Sequence, residues 1–475
     1  MASRLSEDPG VRVLLLEAGP DVGDSIPDDI LHLRSGSGVA DYDWNYGDPF
    51  TGSVLPRGRV VGGSSAVNAT VALRGQPADY DRWAELGASG WDWQGVLPYF
   101  CRLEDDADFG DRPYHGRGGP VHVIRELPFR EAEMTFVAAC EELGHARLED
   151  LNEPGSLGAG AIPRNLKDRV RQSTLLTHIA PARTRSNFEL RASTLVDRVS
   201  FDGLRVRGVR LQNGEEIGAR RVVLAAGAYN TPAILMRSGV GPREQLSRSG
   251  VDPRLDLPGV GQNLLDHPVT MVTLDADNPV DPTDIRMAAS LKTRSQPGLD
   301  LDDLKISFYP GDLFNMSGLT GLFIEVNVSD SRGEIRLTSV NPAEAPAIEH
   351  RHLSDARDMD RLRAGTHQAL DIAAVLQRSL RCEVLLPDAE TAQDDELLRQ
   401  HLLMFHSTGY HPSGTCRIGA ATDALAVVDP SLGVRGCEGL YIADASVMPE
   451  IPRGNINLPT MMIGEKAAEL IRARL

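Results

Sequence analysis

Val11-Arg12-Val13-Leu14-Leu15-Leu16 is a nearly unbroken apolar run between Asp8-Pro9-Gly10 and Glu17-Ala18-Gly19-Pro20. Such a run, bounded by turn residues, predicts a parallel strand covered on both faces. Ala2-Ser3-Arg4-Leu5 ahead of it reads as the tail of a helix. Asp79 to Leu103 reads as helical, with Trp83, Trp91, Trp93, Tyr99 and Phe100 as packing anchors. Strand-like pieces follow at Phe188 to Leu190, Leu195 to Phe201, Arg205 to Gln212 and Arg221 to Leu224. Asp202-Gly203 and Asn213-Gly214 punctuate them as a β-meander. Thr231 to Ser238 predicts a helix ended by Gly239-Val240-Gly241-Pro242. Residues 270 to 400 mix strand-like stretches (Gly321 to Val328, Gly333 to Leu337) with a helical one, Asp355 to Leu376. A last helix is expected over Met461 to Leu475. The alternation predicts a mixed α/β protein.

Composition narrows the classes. A chain of 475 residues with 67 acidic and 49 basic side chains carries a formal charge of −18. That surface argues against a nucleic-acid or anionic-membrane partner, since both require a basic footprint. The chain is long enough for a large core without staples. Cys101, Cys140, Cys382, Cys416 and Cys437 are scattered, with no C-x-x-C pair. They are expected to be buried reduced thiols of a cytoplasmic protein, with neither disulfides nor a metal site. No apolar run is long enough to span a membrane.

Several residues suggest chemistry. An acidic residue ending a second strand is where a dinucleotide-binding fold holds the adenosine ribose, and Glu17 stands in that position. The usual strand and G-x-G-x-x-G turn about 20 residues upstream of it do not occur. Gly62-Gly63-Ser64-Ser65 offers backbone amides and hydroxyls to a phosphate or a ring. His411 sits in the Gly/Pro-punctuated loop Tyr410-His411-Pro412-Ser413-Gly414. Asn457 lies in Gly454-Asn455-Ile456-Asn457-Leu458-Pro459-Thr460, just before the last helix. Taken singly, a loop histidine or an asparagine before a helix serves structure as readily as chemistry.

Taken together, these segments resemble the glucose–methanol–choline (GMC) oxidoreductases, flavoenzymes that oxidise alcohols with FAD. The resemblance rests on five ordered matches: Gly58 to Asn68, Gly227 to Gly241, Val260 to His267, Ser331-Arg332-Gly333 and Tyr441 to Pro449. It implies an FAD-binding Rossmann-like domain interleaved with a substrate domain built on an antiparallel sheet with helices. The expected division is 1–265 and 401–475 for the FAD portion and 266–400 for the substrate portion. Glu17 would hold the ribose, and Gly62, Gly63, Ser64, Ser65 and Asn68 would follow the pyrophosphate and flavin. Val196 would meet the adenine, and Ala226 and Gly227 would line the dinucleotide. Asp444 and Ala445 would approach the pyrophosphate and ribityl chain, with Asn457, Pro459 and Thr460 at the pyrimidine end. His411 matches the catalytic histidine and Asn457 its partner.

The resemblance further implies oxidation of a primary alcohol, aromatic ones included, to the aldehyde, with O2 or another electron acceptor reoxidising the flavin. Ala107-Asp108-Phe109-Gly110 and Ile451-Pro452-Arg453 look most like aryl-alcohol and hydroxymethylfurfural-type oxidases. A choline dehydrogenase-like enzyme, a redox-silent hydroxynitrile lyase and an inactive product unable to bind FAD are the alternatives. Val67 occupies the place where some members tether FAD through histidine, so FAD is expected to be non-covalent. The missing glycine loop sets the expectation that the chain is truncated at its N-terminus.

Overall fold

A computed structural model describes residues 1–32, 40–48, 52–276, 288–309 and 319–474. Two short parallel strand pairs line one cavity. In the first, β1 (Val13–Leu16) pairs with β2 (Phe188–Arg191), Val13 opposite Phe188. In the second, β3 (Val222–Leu224) pairs with the late strand Leu440–Ile442, Val222 opposite Leu440. The expected two-sided burial of β1 is not met: Leu14 is 36% exposed, and all four β1 residues line the cavity. A strand that pairs on one edge and borders open space on the other keeps its apolar sequence but loses half its cover.

The expected meander is present as Val196–Asp202, Arg205–Leu211 and Glu216–Gly218 in one antiparallel sheet. After β3 the chain turns at Gly227, whose φ is 81°, into helix α1 (Gly227–Arg237). The helix expected over Asp79 to Leu103 is two helices, Pro77–Glu85 and Trp93–Leu103. Gly87 and Gly90 lie between them at positive φ, a conformation that ends one helix before the next begins. Trp83 and Trp91 are buried there, and their indole N–H groups donate to the carbonyls of Glu450 and Pro430 at 2.9 and 2.8 Å. They are core residues.

An antiparallel sheet covers the far end of the cavity. Its central strands are β4 (Pro268–Ala276), β5 (Ala289–Thr293), β6 (Leu304–Tyr309) and β7 (Leu319–Val326), in the spatial order β4-β7-β6-β5. Cys382–Leu386 extends it beside β4, and Gly158–Ala161 and Arg147–Leu148 extend it beyond β5. Ser407–Thr408, outside the 266–400 segment, also pairs with β4. Strand alternation divides β6 and β7 cleanly. Leu304, Ile306, Phe308, Leu322, Ile324 and Val326 face a core shared with helix α2 (Ala356–Ser379). Lys305, Ser307, Tyr309, Phe323 and Glu325 face the cavity. Helix α3 (Asn457–Arg472) packs against the core that also holds Val222 and Leu224 of β3.

Leu362 on α2 is fully buried in the sheet–helix core. Leu362→Ala is expected to cost about 2–5 kcal/mol, whereas Arg363→Ala on the same helix is expected to stay within about 0.5 kcal/mol. Urea unfolding of the two variants checks this.

Candidate active site

One cavity of about 2070 Å³ runs from Glu17 to His411. It exceeds the roughly 300–1,000 Å³ that encloses a drug-sized ligand. Of the residues expected at a dinucleotide, Glu17, Gly62, Gly63, Ser64, Ser65, Asn68, Val196, Ala226, Gly227, Asp444, Ala445, Asn457 and Thr460 all line it. Pro459 does not. In the first turn of α3 the cavity face carries Asn457, Thr460 and Met461, and helical periodicity turns Leu458 and Pro459 into the core.

The walls suit a flat, phosphate-bearing cofactor. Gly62 and Gly63 have φ of 103° and 54°, and a Cβ added at Gly63 or Gly227 would meet nothing within 4 Å. Backbone is thereby presented directly to the cavity at both glycines. Asn457 lines the cavity, and its side-chain Nδ2 is buried without a partner among the described residues. A buried amide left unsatisfied points to a bound acceptor. Glu17 accepts the Gly19 N–H at 2.7 Å, and burial pushes its carboxyl up to about 7. The Asp444 carboxylate is turned away from a ligand role. It accepts from the Gly227 N–H at 2.9 Å, the Thr231 hydroxyl at 2.6 Å and the Ser446 N–H at 2.8 Å, tying the end of β3 to α1. Its backbone is what remains for the cofactor.

At the other end lies His411, buried with 7% exposure. Its loop is clamped onto the stretch leading into β4: Leu265 and Ser413 exchange backbone hydrogen bonds at 3.0 Å, and Pro268 pairs with Thr408. Asp266 Oδ1 accepts the His411 backbone N–H at 2.8 Å. The other carboxylate oxygen accepts from the Thr408 hydroxyl and, at 3.1 Å, faces His352 Nε2. Burial would raise the Asp266 pKa, but these donors and the histidines around it hold it well below the ordinary carboxylate range.

The partner of His411 is Asn455, not Asn457. Asn455 Nδ2 lies 2.9 Å from His411 Nε2, while Asn457 has already entered α3. Two asparagines two positions apart look alike in sequence, and only the onset of the helix separates them. On its other side His411 Nδ1 lies 2.9 Å from His267 Nδ1. Burial pushes His411 down to about 3 and also lowers His267, so both rings are neutral at physiological pH. Lys305 and Glu325 complete the site. The lysine Nζ is 2.7 Å from Glu325 Oε1 and 3.0 Å from Asn455 Oδ1. Burial opposes the charge of Glu325, but Lys305 prevails and holds its carboxyl down at about 2. Neither residue belongs to a recognisable motif; their only sequence signal is polar positions alternating through the apolar strands Leu304–Tyr309 and Leu319–Val326.

A dinucleotide-sized cavity that ends at a buried histidine with an asparagine beside it is the arrangement of a flavin-dependent oxidoreductase, and known proteins agree. The family model described as GMC oxidoreductase matches residues 50–269 and 329–464. Human mitochondrial choline dehydrogenase is 35% identical over all of this chain and 88% of its own length. The 5-(hydroxymethyl)furfural oxidase of Methylovorus sp. is 36% identical over 99% of this chain and 96% of its own length. The crystal structure of pyridoxine 4-oxidase from Mesorbium loti superposes with a TM-score of 0.92 at 29% identity, covering 99% of this chain and 96% of that one. The chain belongs to the GMC oxidoreductase family, FAD-dependent enzymes that act on the CH–OH group of alcohols.

Gly63→Val would place a β-branched side chain at positive φ and project it into the cavity. The purified variant is expected to lose most of its flavin absorbance relative to protein while keeping its far-ultraviolet circular dichroism.

Proposed function

We propose that this enzyme oxidises a neutral primary alcohol, aromatic alcohols included, to the aldehyde, with His411 as the base and FAD held non-covalently. The observation that carries the reading is the buried neutral His411, with Asn455 2.9 Å from its Nε2 and both lining the cavity. Glu17, the Gly62–Ser65 turn, Asn68, Gly227, Asn457 and Thr460 would hold FAD. FAD, when bound, supplies the hydride acceptor.

The protein's part is to bind and orient the alcohol and to take its proton. An alcohol O–H has a pKa far above 7, so its proton needs a placed acceptor as the C–H bond breaks. A neutral imidazole provides one, and Asn455 beside it offers an amide to the same oxygen. Once His411 is protonated, Glu325 Oε2, 3.9 Å from its Nδ1, stabilises the imidazolium.

Substrate class follows from the walls. Tyr309 and Phe323 make an edge-on pair, ring centroids 5.7 Å apart, on the cavity side of β6 and β7. They suit an aromatic or furan ring. The Glu325 carboxylate beside His411 is already paired with Lys305, so it is not offered singly to a quaternary ammonium. The choline-type reading has support in the similarity to choline dehydrogenase. Initial rates with 5-(hydroxymethyl)furfural, benzyl alcohol and choline separate the two. The neutral-alcohol reading expects the ring-bearing alcohols to exceed choline in kcat/KM by about 10-fold or more, the scale of one well-placed interaction.

His411→Ala is expected to slow flavin reduction by ~100- to 10,000-fold, the usual contribution of a general base. Asn455→Ala is expected to lower kcat/KM with flavin content unchanged, and Asn457→Ala to lower flavin content instead. Because burial depresses the His411 pKa, its base form persists below the ordinary histidine value of about 6.5. The acid limb of kcat/KM in the parent enzyme is therefore expected below that value, and a limb above it would contradict the environment described. On acid precipitation, the yellow colour is expected in the supernatant.

A further inference from the structure

Lys305 has no counterpart among the residues that the sequence motifs single out, yet it is built into the site. It is 3% exposed, stands directly opposite Glu325 (2% exposed) in the β6–β7 ladder, and lines the cavity beside His411. Its ammonium touches Glu325 Oε1 at 2.7 Å and Asn455 Oδ1 at 3.0 Å.

An ammonium group has three donors and no acceptor. The Asn455 atom that faces it must therefore be the carbonyl oxygen, since an amide N–H in that place would oppose a like donor. The amide is planar, so fixing Oδ1 on Lys305 directs the –NH2 at His411 Nε2, 2.9 Å away. That –NH2 can only donate. His411 Nε2 must then carry the lone pair, and the ring proton resides on Nδ1. His411 Nδ1 donates in turn to His267 Nδ1 at 2.9 Å, leaving His267's own proton on Nε2. Without Lys305 the amide could flip, the His411 tautomer could exchange, and the atom beside Asn455 would be protonated in part of the population.

We propose that Lys305 is a positioning residue for the alcohol oxidation: it fixes the Asn455 amide and through it the His411 tautomer that keeps Nε2 unprotonated, so that its lone pair can pass from the Asn455 N–H to the substrate proton. The proposal rests on His411 being the base. Glu325 has the matching task of keeping the ammonium in place, by pairing its charge in the buried site. Lys305 also opposes protonation of His411 by its charge, so its removal leaves Glu325 to favour the imidazolium.

The test is a double-mutant cycle on the FAD-loaded enzyme with 5-(hydroxymethyl)furfural as substrate, reading kcat/KM across pH. Lys305→Met is expected to lower kcat/KM by ~10- to 100-fold, as loss of a positioning group does. The acid limb is expected to move to higher pH, and Lys305→Arg, also a pure donor, should recover most of the loss. In an Asn455→Ala background, Lys305→Met should add little, because the route through the amide is already gone. Should the unpaired Glu325 prevent Lys305→Met from folding, every arm of the cycle is built on Glu325→Gln, so that the role of Glu325 toward the imidazolium cancels and the same sub-additive expectation holds. Losses that multiply across the cycle, an unmoved acid limb, or Lys305→Met activity within twofold of the parent enzyme would each overturn the proposal. If His411→Ala keeps near-parent activity, the underlying reading fails; if His411→Ala is inactive while Lys305→Met is unaffected, only the role of Lys305 does.

Discussion

The carboxylate of Asp266 is the joint on which the site depends. It is buried where the FAD-side chain crosses into the antiparallel sheet, immediately before β4. Its oxygens accept from the His411 N–H and the Thr408 hydroxyl, and His352 stands 3.1 Å away. Removing one partner from such a buried network costs about 3–5 kcal/mol, because the remaining group is left unpaired. Through this carboxylate the histidine loop cannot shift without β4 shifting too. The loop belongs to the sequence beyond residue 400 and the sheet to the middle of the chain, and this side chain, with the Leu265–Ser413 backbone pair, sets their relative position.

Around that joint the electrostatics balance two demands on His411. The base must be neutral before reaction, which burial provides. Its protonated form must then be tolerated, and Glu325 provides for that from 3.9 Å. Glu325 also favours a proton on the imidazole of the resting enzyme, against the larger effect of burial. Lys305, 2.7 Å away, moderates it. A buried ion pair adjacent to a histidine thus sets how strongly the ring holds a proton, and the residues concerned stand across from each other on neighbouring strands.

The sequence was legible where backbone geometry demands particular residues. The Gly62-Gly63-Ser64-Ser65 turn needs positive φ at both glycines, and the Gly227 turn needs it too, so their roles show in residue type. The β-meander and the helices over Gly227–Arg237 and Ala356–Ser379 are visible from turn residues and periodicity. Three features were hidden for physical reasons. The two-helix break after Glu85 depends on Gly87 and Gly90, which sit in a stretch whose apolar spacing continues across them. The choice between Asn455 and Asn457 depends on where α3 begins, and helix onsets are weakly encoded when no capping side chain marks them. Lys305 and Glu325 acquire their meaning only from strand pairing, because 20 residues separate them in the chain.

In the proposed reaction, the histidine–asparagine end of the cavity oxidises an alcohol, with electrons passing to flavin. The most direct test mixes the FAD-loaded enzyme with 5-(hydroxymethyl)furfural in the absence of oxygen and follows flavin colour alongside aldehyde. Bleaching is expected, with aldehyde formed in step with it. Flavin that stays yellow with this alcohol and with benzyl alcohol, on an enzyme carrying its full complement of FAD, would contradict it.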